Sequence, residues 1–186
     1  MKKLLFAFAF LSFIALNSCN SGEKNKAETV TKISDSKSVV YKEVVKTLTG
    51  DFAGFTIGAS FQDCKNVISK DFLTKEEKDF LMFKISDKLT ISEYSLIFEN
   101  GKLIEIALDT DVYDETDNYD SDAALLLFND LKDDFLERFG SKYLETEDED
   151  YTVLFWSDDV KEVQLIKDNG KIHVYVDALS AEEVVE

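Results

Sequence analysis

Residues that break a compact fold are rare in this chain. Proline is absent, and only seven glycines occur among 186 residues. Fifteen phenylalanines and seven tyrosines, by contrast, supply ample material for a core. This balance argues against a disordered chain and predicts one globular domain over residues 39–186.

Residues that carry chemistry are also scarce. His173 is the only histidine, and it alternates with apolar residues in a predicted strand, which is typical of a half-exposed sheet residue. Two Ser-x-x-Lys matches, Ser21 to Lys24 and Ser34 to Lys37, fall in a polar segment that cannot position them. The sequence shows no zinc cluster, phosphate loop or nucleophile elbow. We therefore expect a protein that is not an enzyme and has no cofactor, although paired carboxylates are left open.

Long apolar runs are confined to the start of the chain. Lys2 and Lys3 precede thirteen uncharged residues, 4–16. That length suits a signal-peptide core and falls short of the ~20 residues that a membrane-spanning helix needs. The run predicts export from the cytoplasm.

The apolar run ends in Leu16-Asn17-Ser18-Cys19. This segment resembles the lipobox of bacterial lipoproteins, with an aliphatic residue three positions before the cysteine and a small residue directly before it. The resemblance implies that residues 1–18 are a removable signal peptide and that Cys19 is lipidated. It places the protein in the cell envelope, anchored to a membrane and facing the periplasm or the exterior. An ordinary secretory signal with a chance cysteine is the alternative.

The cysteine count fits a lipid anchor. Exported proteins meet oxidising conditions in which cysteines are normally paired, but Cys64 is the only cysteine besides Cys19. If Cys19 carries lipid, no internal disulfide can form. Cys64 lies on the apolar side of a predicted helix, so we expect a buried, inert thiol.

The charge is strongly acidic and concentrated in the domain. The whole chain carries -17, and removal of Lys2 and Lys3 makes it -19. Residues 19–38 read as a polar, flexible tether with one excess positive charge, which leaves about -20 on the domain. This charge argues against nucleic acid and favours a cationic protein, peptide or metal ion, with solubility alone as the alternative.

Helical spacing and capping residues predict several helices. Residues 39–48 are predicted to form one, with Ser38 as its candidate N-cap and Gly50 just past its end, and a second begins after Ser60. Thr74-Lys75-Glu76-Glu77 has the spacing of a capping box and predicts a short helical turn. The longest helix is predicted to be capped by Ser121 or Asp120 and to end before Gly140. Its apolar stripe consists of Ala124, Leu127, Phe128, Leu131, Phe135 and Phe139.

Strands are predicted on either side of that long helix. Asn100-Gly101 and Asn169-Gly170 each separate two extended runs, which is the strongest short-range signal of a hairpin. Residues 151–156 read as a further strand. Residues 80–85 favour a buried strand, with a helix left open. The fold class is therefore α+β, an antiparallel sheet with helices packed on one face.

Short sequence segments of the first half of the domain recur in the second half. Phe61-Gln62-Asp63, Phe83-Lys84-Ile85 and Asn100-Gly101-Lys102 each have a similar segment roughly 70 residues later, in the same order. These repeats suggest a duplicated helix-plus-three-strand unit, with halves 55–110 and 121–177. A coincidence of common turn and helix signals is the alternative.

A second family resemblance follows from this layout. Residues 55–60, an amphipathic helix and an Asn-Gly-Lys hairpin resemble the helix-plus-antiparallel-sheet lipoproteins of the SmpA/OmlA outer-membrane assembly type. In tandem, the layout is similar to the beta-lactamase inhibitor protein. The resemblance implies a fold but does not by itself assign a function.

Acidic side chains crowd the connection between the first hairpin and the long helix. Three interpretations stay open: solvated loops, a docking patch for a basic partner, or a calcium site built from Asp109, Asp111 and Asp117. A neighbouring run, residues 145–150, adds further acids. The candidate partner-binding residues are Asp109, Asp111, Asp114, Glu115, Asp117, Asp120 and Trp156.

The sequence as a whole predicts a lipid-anchored, non-enzymatic binding or assembly module of the cell envelope. Its expected partners are the membrane, through Cys19, and another envelope protein or peptide. A proteinaceous inhibitor or immunity-type factor is the first alternative, favoured if Trp156 and Tyr175 form an exposed aromatic patch on the sheet. A calcium-dependent binding module is the second.

Overall fold

A computed structural model describes residues 37–45, 49–149 and 151–179. The predicted signal peptide, Cys19 and nearly all of the tether lie outside these residues. The described chain forms three helices and eight strands. They are α1 (Val39–Val44), α2 (Phe61–Val67), β1 (Leu73–Glu77), β2 (Phe80–Ser86), β3 (Thr90–Glu99), β4 (Lys102–Val112), α3 (Ser121–Phe139), β5 (Leu144–Glu147), β6 (Tyr151–Ser157), β7 (Lys161–Asp168) and β8 (Lys171–Ala178).

All eight strands belong to one antiparallel sheet, in the order β1-β2-β3-β4-β8-β7-β6-β5. Strands β1 to β4 form one meander and β5 to β8 form another. The last strand of each meander lies at the centre, where β4 pairs with β8. The prediction of an α+β fold built on an antiparallel sheet is confirmed, with strand outweighing helix.

Both predicted hairpins are present. Asn100 and Gly101 have φ angles of 52° and 76°, as a type I′ turn requires, and they join β3 to β4. Asn169, which joins β7 to β8, also has a positive φ of 50°, whereas Gly170 does not. Gly170 is needed for another reason: a Cβ there would lie 2.6 Å from Cβ of Tyr119.

The core lies between the helices and one face of the sheet. Along β3, every second residue is buried, as period-two alternation requires. Strand register places the buried residues of neighbouring strands opposite one another. One apolar row therefore crosses the middle of the sheet. That row consists of Tyr94, Leu108, Val174, Leu165 and Leu154.

Each helix contacts inward residues of the sheet. Phe135 of α3 meets Trp156 edge to face, and Phe61 of α2 packs on Phe98 with ring centroids 4.9 Å apart. At the end of α1, the carbonyl of Val44 accepts a hydrogen bond from the Tyr94 hydroxyl. The apolar stripe predicted for α3 is buried from Ala124 to Phe135, while Phe139 is partly buried.

The capping predictions hold for all three helices, and the Ser38 hydroxyl accepts from the amide of Tyr41 at the start of α1. The Ser60 hydroxyl accepts from the amide of Asp63, and Asp120 caps α3 through the amide of Ala123. Helix α1 ends at Val44, and residues 46–48 of the predicted helix lie outside the described part. No helix of the described chain is long and apolar enough to cross a membrane.

One element was predicted wrongly. Thr74, Lys75, Glu76 and Glu77 belong to strand β1, where we expected a helical turn. The strand pairs with β2 through a two-residue connection, and cross-strand hydrogen bonds replace those that a capping box would make. Residues 80–85 form a strand, the favoured of two interpretations. Within the predicted acidic run, residues 145–147 belong to edge strand β5.

Candidate functional site

The outward residues of the central strands form a surface that we call the open face. They alternate with the buried residues that the helices contact, and strand register aligns them in rows across the sheet. Three rows matter here. From β4 to β6 they contain Glu105, Asp177, Glu162 and Ser157; Ala107, Tyr175, Gln164 and Phe155; and Asp109, His173, Ile166 and Val153.

The open face has an apolar strip, defined by Leu144, Val153, Phe155, Ile166 and Tyr175. Leu144 of edge strand β5 lies opposite Phe155 and is 71% exposed. Phe155 and Tyr175 are half-buried and flank Gln164 on either side. Gln164 separates Phe155 from Tyr175, and Ile166 is 9% exposed, so the strip is a group of outward apolar side chains with a polar interruption. Grouped apolar side chains at a surface are typical of a site that contacts another molecule.

Beside the strip lies an acid row of three half-buried carboxylates. Glu105 and Glu162 each lie directly opposite Asp177 on the neighbouring strands. Burial and the charge of Asp177 raise the pKa of Glu105, and burial and Glu162 raise the pKa of Asp177. Like charges in direct cross-strand contact destabilise a sheet, so a cationic group bound here would relieve a repulsion.

Asp109 and Asp111, two of the predicted site residues, also face this surface. Each is opposed by a basic side chain: His173 Nδ1 lies 2.5 Å from Asp109 Oδ1, and Lys171 Nζ lies 3.5 Å from Asp111 Oδ1. These two carboxylates therefore have partners within the protein. In the described part of the chain, no ion pair or hydrogen bond involves the three side chains of the acid row.

The remaining predicted acids mainly shape the connection from β4 to α3. Asp114 accepts hydrogen bonds from the Thr116 hydroxyl at 2.7 Å and from the amides of Asn118 and Thr116, which lower its pKa. Asp120 is committed to capping α3. Glu115 pairs with Lys88 on the exposed surface. This loop is thus held largely by its own side chains.

The predicted calcium ligands do not converge. Asp109 and Asp111 stand on β4 beside basic partners, whereas Asp117 lies in an exposed turn with a φ of 62°. Over residues 37–45, 49–149 and 151–179, no group of three or more acidic, histidine or cysteine side chains could hold a metal ion. The geometry gives the calcium hypothesis no support.

Trp156 is placed differently from the expectation. It is 2% exposed, faces the helices, and donates from Nε1 to the carbonyl of Gly140 at 3.0 Å. The prediction that Trp156 contacts a partner is wrong, because alternation along β6 turns it into the core. Phe155, its neighbour, faces outward with Tyr175, but both rings are half-buried and Gln164 lies between them. The exposed aromatic patch expected from Trp156 and Tyr175 is therefore not present in this form among the described residues.

Cys64 occupies the environment that the sequence predicted. It is 3% exposed, and burial raises the pKa of its thiol to about 11. The thiol is therefore protonated near neutral pH and is a poor nucleophile. This side chain serves the packing of α2.

The acid row was missed at the sequence level. Glu105 and Glu162 are more than fifty residues apart, and only the pairing of both β4 and β7 with β8 brings them beside Asp177. The available signal was weak: each acid stands at an outward position of a strand in a predicted Asn-Gly hairpin.

Comparisons of the chain with protein-family models, with curated proteins and with solved structures found no match. The open face therefore has to be interpreted from its own residues.

Proposed function

We propose that this protein is a lipid-anchored, non-enzymatic module of the cell envelope that holds another envelope protein on its open face. The anchor is the acyl group expected on Cys19, outside the described residues. The tether lets the domain stand off the membrane. The net charge of -17 disfavours nucleic acid and favours a partner with a basic surface.

The open face is the observation that carries this proposal. It combines the apolar strip, which supplies area for a stable contact, with the acid row, which supplies charge without a partner of its own in the described chain. Interfaces characteristically join an apolar centre to a polar border. Among the described residues, the helices cover the opposite side of the sheet.

A capture experiment tests the proposal. Full-length protein would be used to isolate partners from envelope extract, alongside the double variant Phe155→Ala/Tyr175→Ala. Leu125→Ala/Leu126→Ala, two exposed leucines on α3, is the matched control. We expect the open-face variant to lose the captured protein and the control to retain it. Equal capture by both variants would contradict the proposal.

The anchor is tested separately. Cys19→Ala should abolish labelling by a fatty-acid analogue and release the protein from membranes. Mass spectrometry of the mature amino terminus identifies the acylated residue directly. An acyl-free terminus would remove the anchor from the proposal while leaving the open-face experiment valid.

We further infer that the domain arose by duplication. In the structure, each half contains a helix followed by a four-stranded meander: α2 with β1 to β4, and α3 with β5 to β8. The unit is thus one strand longer than the predicted three. This arrangement supports the resemblance to the helix-plus-sheet layout of SmpA/OmlA-type lipoproteins and of the tandem inhibitor protein.

The outward aromatic pair favours a second candidate function, that of an inhibitor or immunity-type factor. Phe155 and Tyr175 present large side chains with few rotatable bonds, which suit the centre of a tight interface. If the captured partner is an enzyme, equimolar wild-type protein should lower its activity, and Phe155→Ala/Tyr175→Ala should not. Unchanged enzyme activity in the saturated complex would exclude inhibition.

A further inference from the structure

A cavity of about 240 Å³ lies between the ends of two helices and strands β2 and β3. It lies on the side of the sheet opposite the open face, because its walls include the inward residues Phe83 and Tyr94. Its lining includes Val44 at the end of α1, Val67 at the end of α2, and the rings of Phe55, Phe72 and Phe83. No part of the function proposed above uses it.

The chemistry of the lining selects an apolar occupant. Among the described lining residues, only Ser69 and Tyr94 carry a polar side-chain group, and the Tyr94 hydroxyl already donates to the carbonyl of Val44. A polar ligand would lose its hydrogen bonds to water and gain almost none in return. A hydrocarbon chain has no hydrogen bonds to water to lose on entry and gains from leaving water.

The cavity opens to solvent through an apolar rim. Val67 and Phe72 line it and yet are 58% and 44% exposed. The turn that joins them is fixed to the sheet, since the amide of Lys84 donates to the carbonyl of Phe72 at 3.0 Å. A chain-like ligand can therefore enter past the rim.

The chain's own amino-terminal segment comes within reach of this opening. Lys37 and the amide of Ser38 are held by Asp130 of α3, and α1 then runs about 9 Å to Val44 at the cavity wall. Eighteen peptide links separate Cys19 from Lys37. A flexible linker of that many residues would span about 23 Å. Tethering over such a distance gives an effective concentration on the order of millimolar.

We infer that this cavity shelters one acyl chain of the lipid on Cys19 while the protein is away from a bilayer. The inference rests on the lipid anchor of the proposed function. An apolar cavity of about 150 Å³ holds benzene, so this one has room for about ten carbon atoms. In a membrane the acyl chain leaves the cavity for the bilayer.

The first test asks whether the cavity takes an acyl chain. Calorimetric titration of the full mature chain carrying Cys19→Ser, made without lipid, would use decanoate as the probe. We expect one site, with decanoate bound at least tenfold more tightly than hexanoate. Val67→Trp, which narrows the opening, should weaken binding at least tenfold. Val160→Trp, at an equally exposed valine in the β6–β7 connection, should not.

The second test asks whether the protein's own acyl chain is the occupant. Amide hydrogen exchange over residues 67–72 would be compared between lipidated wild type and Cys19→Ser in dilute buffer. We expect slower exchange in the lipidated protein, and loss of the difference in phosphatidylcholine vesicles.

Three outcomes are distinguishable. No decanoate binding by Cys19→Ser overturns the cavity as an acyl site. Decanoate binding, together with identical amide hydrogen exchange in lipidated wild type and Cys19→Ser, overturns the protein's own acyl chain as the occupant. Mass spectrometry on the same wild-type sample reports acylation itself, so failure of the anchor is seen separately from failure of the cavity.

Discussion

Arg138 is the only arginine in the chain, and it joins α3 to the connection between α1 and α2. Its Nε donates to Asp134 on the previous turn of α3 at 3.0 Å, and one terminal nitrogen donates to the carbonyl of Gly50 at 3.1 Å. Nearby, Lys161 of β7 lies 2.6 Å from Asp51. These contacts fix the connection between α1 and α2 against both α3 and the sheet.

Replacing Arg138 should therefore be costly. Arg138→Ala leaves the carboxylate of Asp134, which is 8% exposed, without its cation. We expect a loss of about 3–5 kcal/mol in the free energy of unfolding, measured by urea denaturation. Lys88→Ala, which removes the exposed pair with Glu115, is the control and should cost less than about 1 kcal/mol. Equal losses in the free energy of unfolding for the two variants would show that burial does not strengthen the pair of Arg138 and Asp134.

Gly170 is required by a close approach. An alanine Cβ would lie 2.6 Å from Cβ of Tyr119, which stacks on Tyr113. Gly170→Ala should lower the free energy of unfolding by about 1–3 kcal/mol. In a double-mutant cycle, much of this cost should disappear on a Tyr119→Gly background, which removes the Cβ that the new methyl group would meet. Purely additive effects would locate the cost in the backbone of the turn.

At the scale of elements, α3 has the most complete set of local signals. Its N-cap, its apolar stripe and the glycine that follows it can all be recognised in the sequence. The structure places them as predicted. Gly140 has a φ of 88°, which suits the residue that follows a helix. Local signals sufficed here because every one of them favours the same helix.

The cap of α3 can be tested by one substitution. Asp120→Ala removes the acceptor of the Ala123 amide, so thermal unfolding should show a loss of about 1 kcal/mol. Asp122→Ala, an exposed acid in the first turn, is the matched control. It removes only an interaction with the helix dipole and should cost less. A reversed order would argue against the assigned cap.

Strand β1 shows where local signals fail. Thr74 and Glu77 have capping-box spacing, yet the chain there pairs with β2. The partner strand, from Phe80 to Ser86, is strongly apolar, and its free edge needs hydrogen bonds. Pairing with a neighbour therefore overrode a weak local preference. The acidic edge strand β5 escaped prediction for the same reason.

For the whole molecule, the excess of acid predicts an unusual pH dependence. Burial, foremost among the causes, raises the pKa values of Glu105, Asp134 and Asp177. Each of these carboxyls binds its proton more tightly in the folded chain than in the unfolded chain. Stability should therefore rise as pH falls through the raised values, and be lost as pH rises through them.

Thermal melting at pH 7 and pH 5 checks this expectation. We expect a melting temperature higher at pH 5 by at least about 2 °C. The variant Glu105→Gln/Asp177→Asn should melt higher than wild type at pH 7 and show a smaller change with pH. The pKa of Asp114 is lowered instead. Protonation of Asp114 therefore reduces stability only when the pH falls below the ordinary pKa range of aspartate. A melting temperature that is lower at pH 5 than at pH 7 would contradict this expectation.

The sequence by itself determined the elements whose signals are local: the two hairpins at Asn100-Gly101 and Asn169-Gly170, helix α3 with its caps, and the buried thiol of Cys64. Turn conformation and helix capping depend on neighbouring residues, so they can be seen in a short window.

Only the tertiary structure decided which strands meet. The pairing of β4 with β8 created the acid row and set the open face, and register along β6 turned Trp156 inward and Phe155 outward. A shift of one residue exchanges the two faces of a strand, and no local pattern fixes long-range register. The candidate site therefore depends on contacts between residues far apart in the chain.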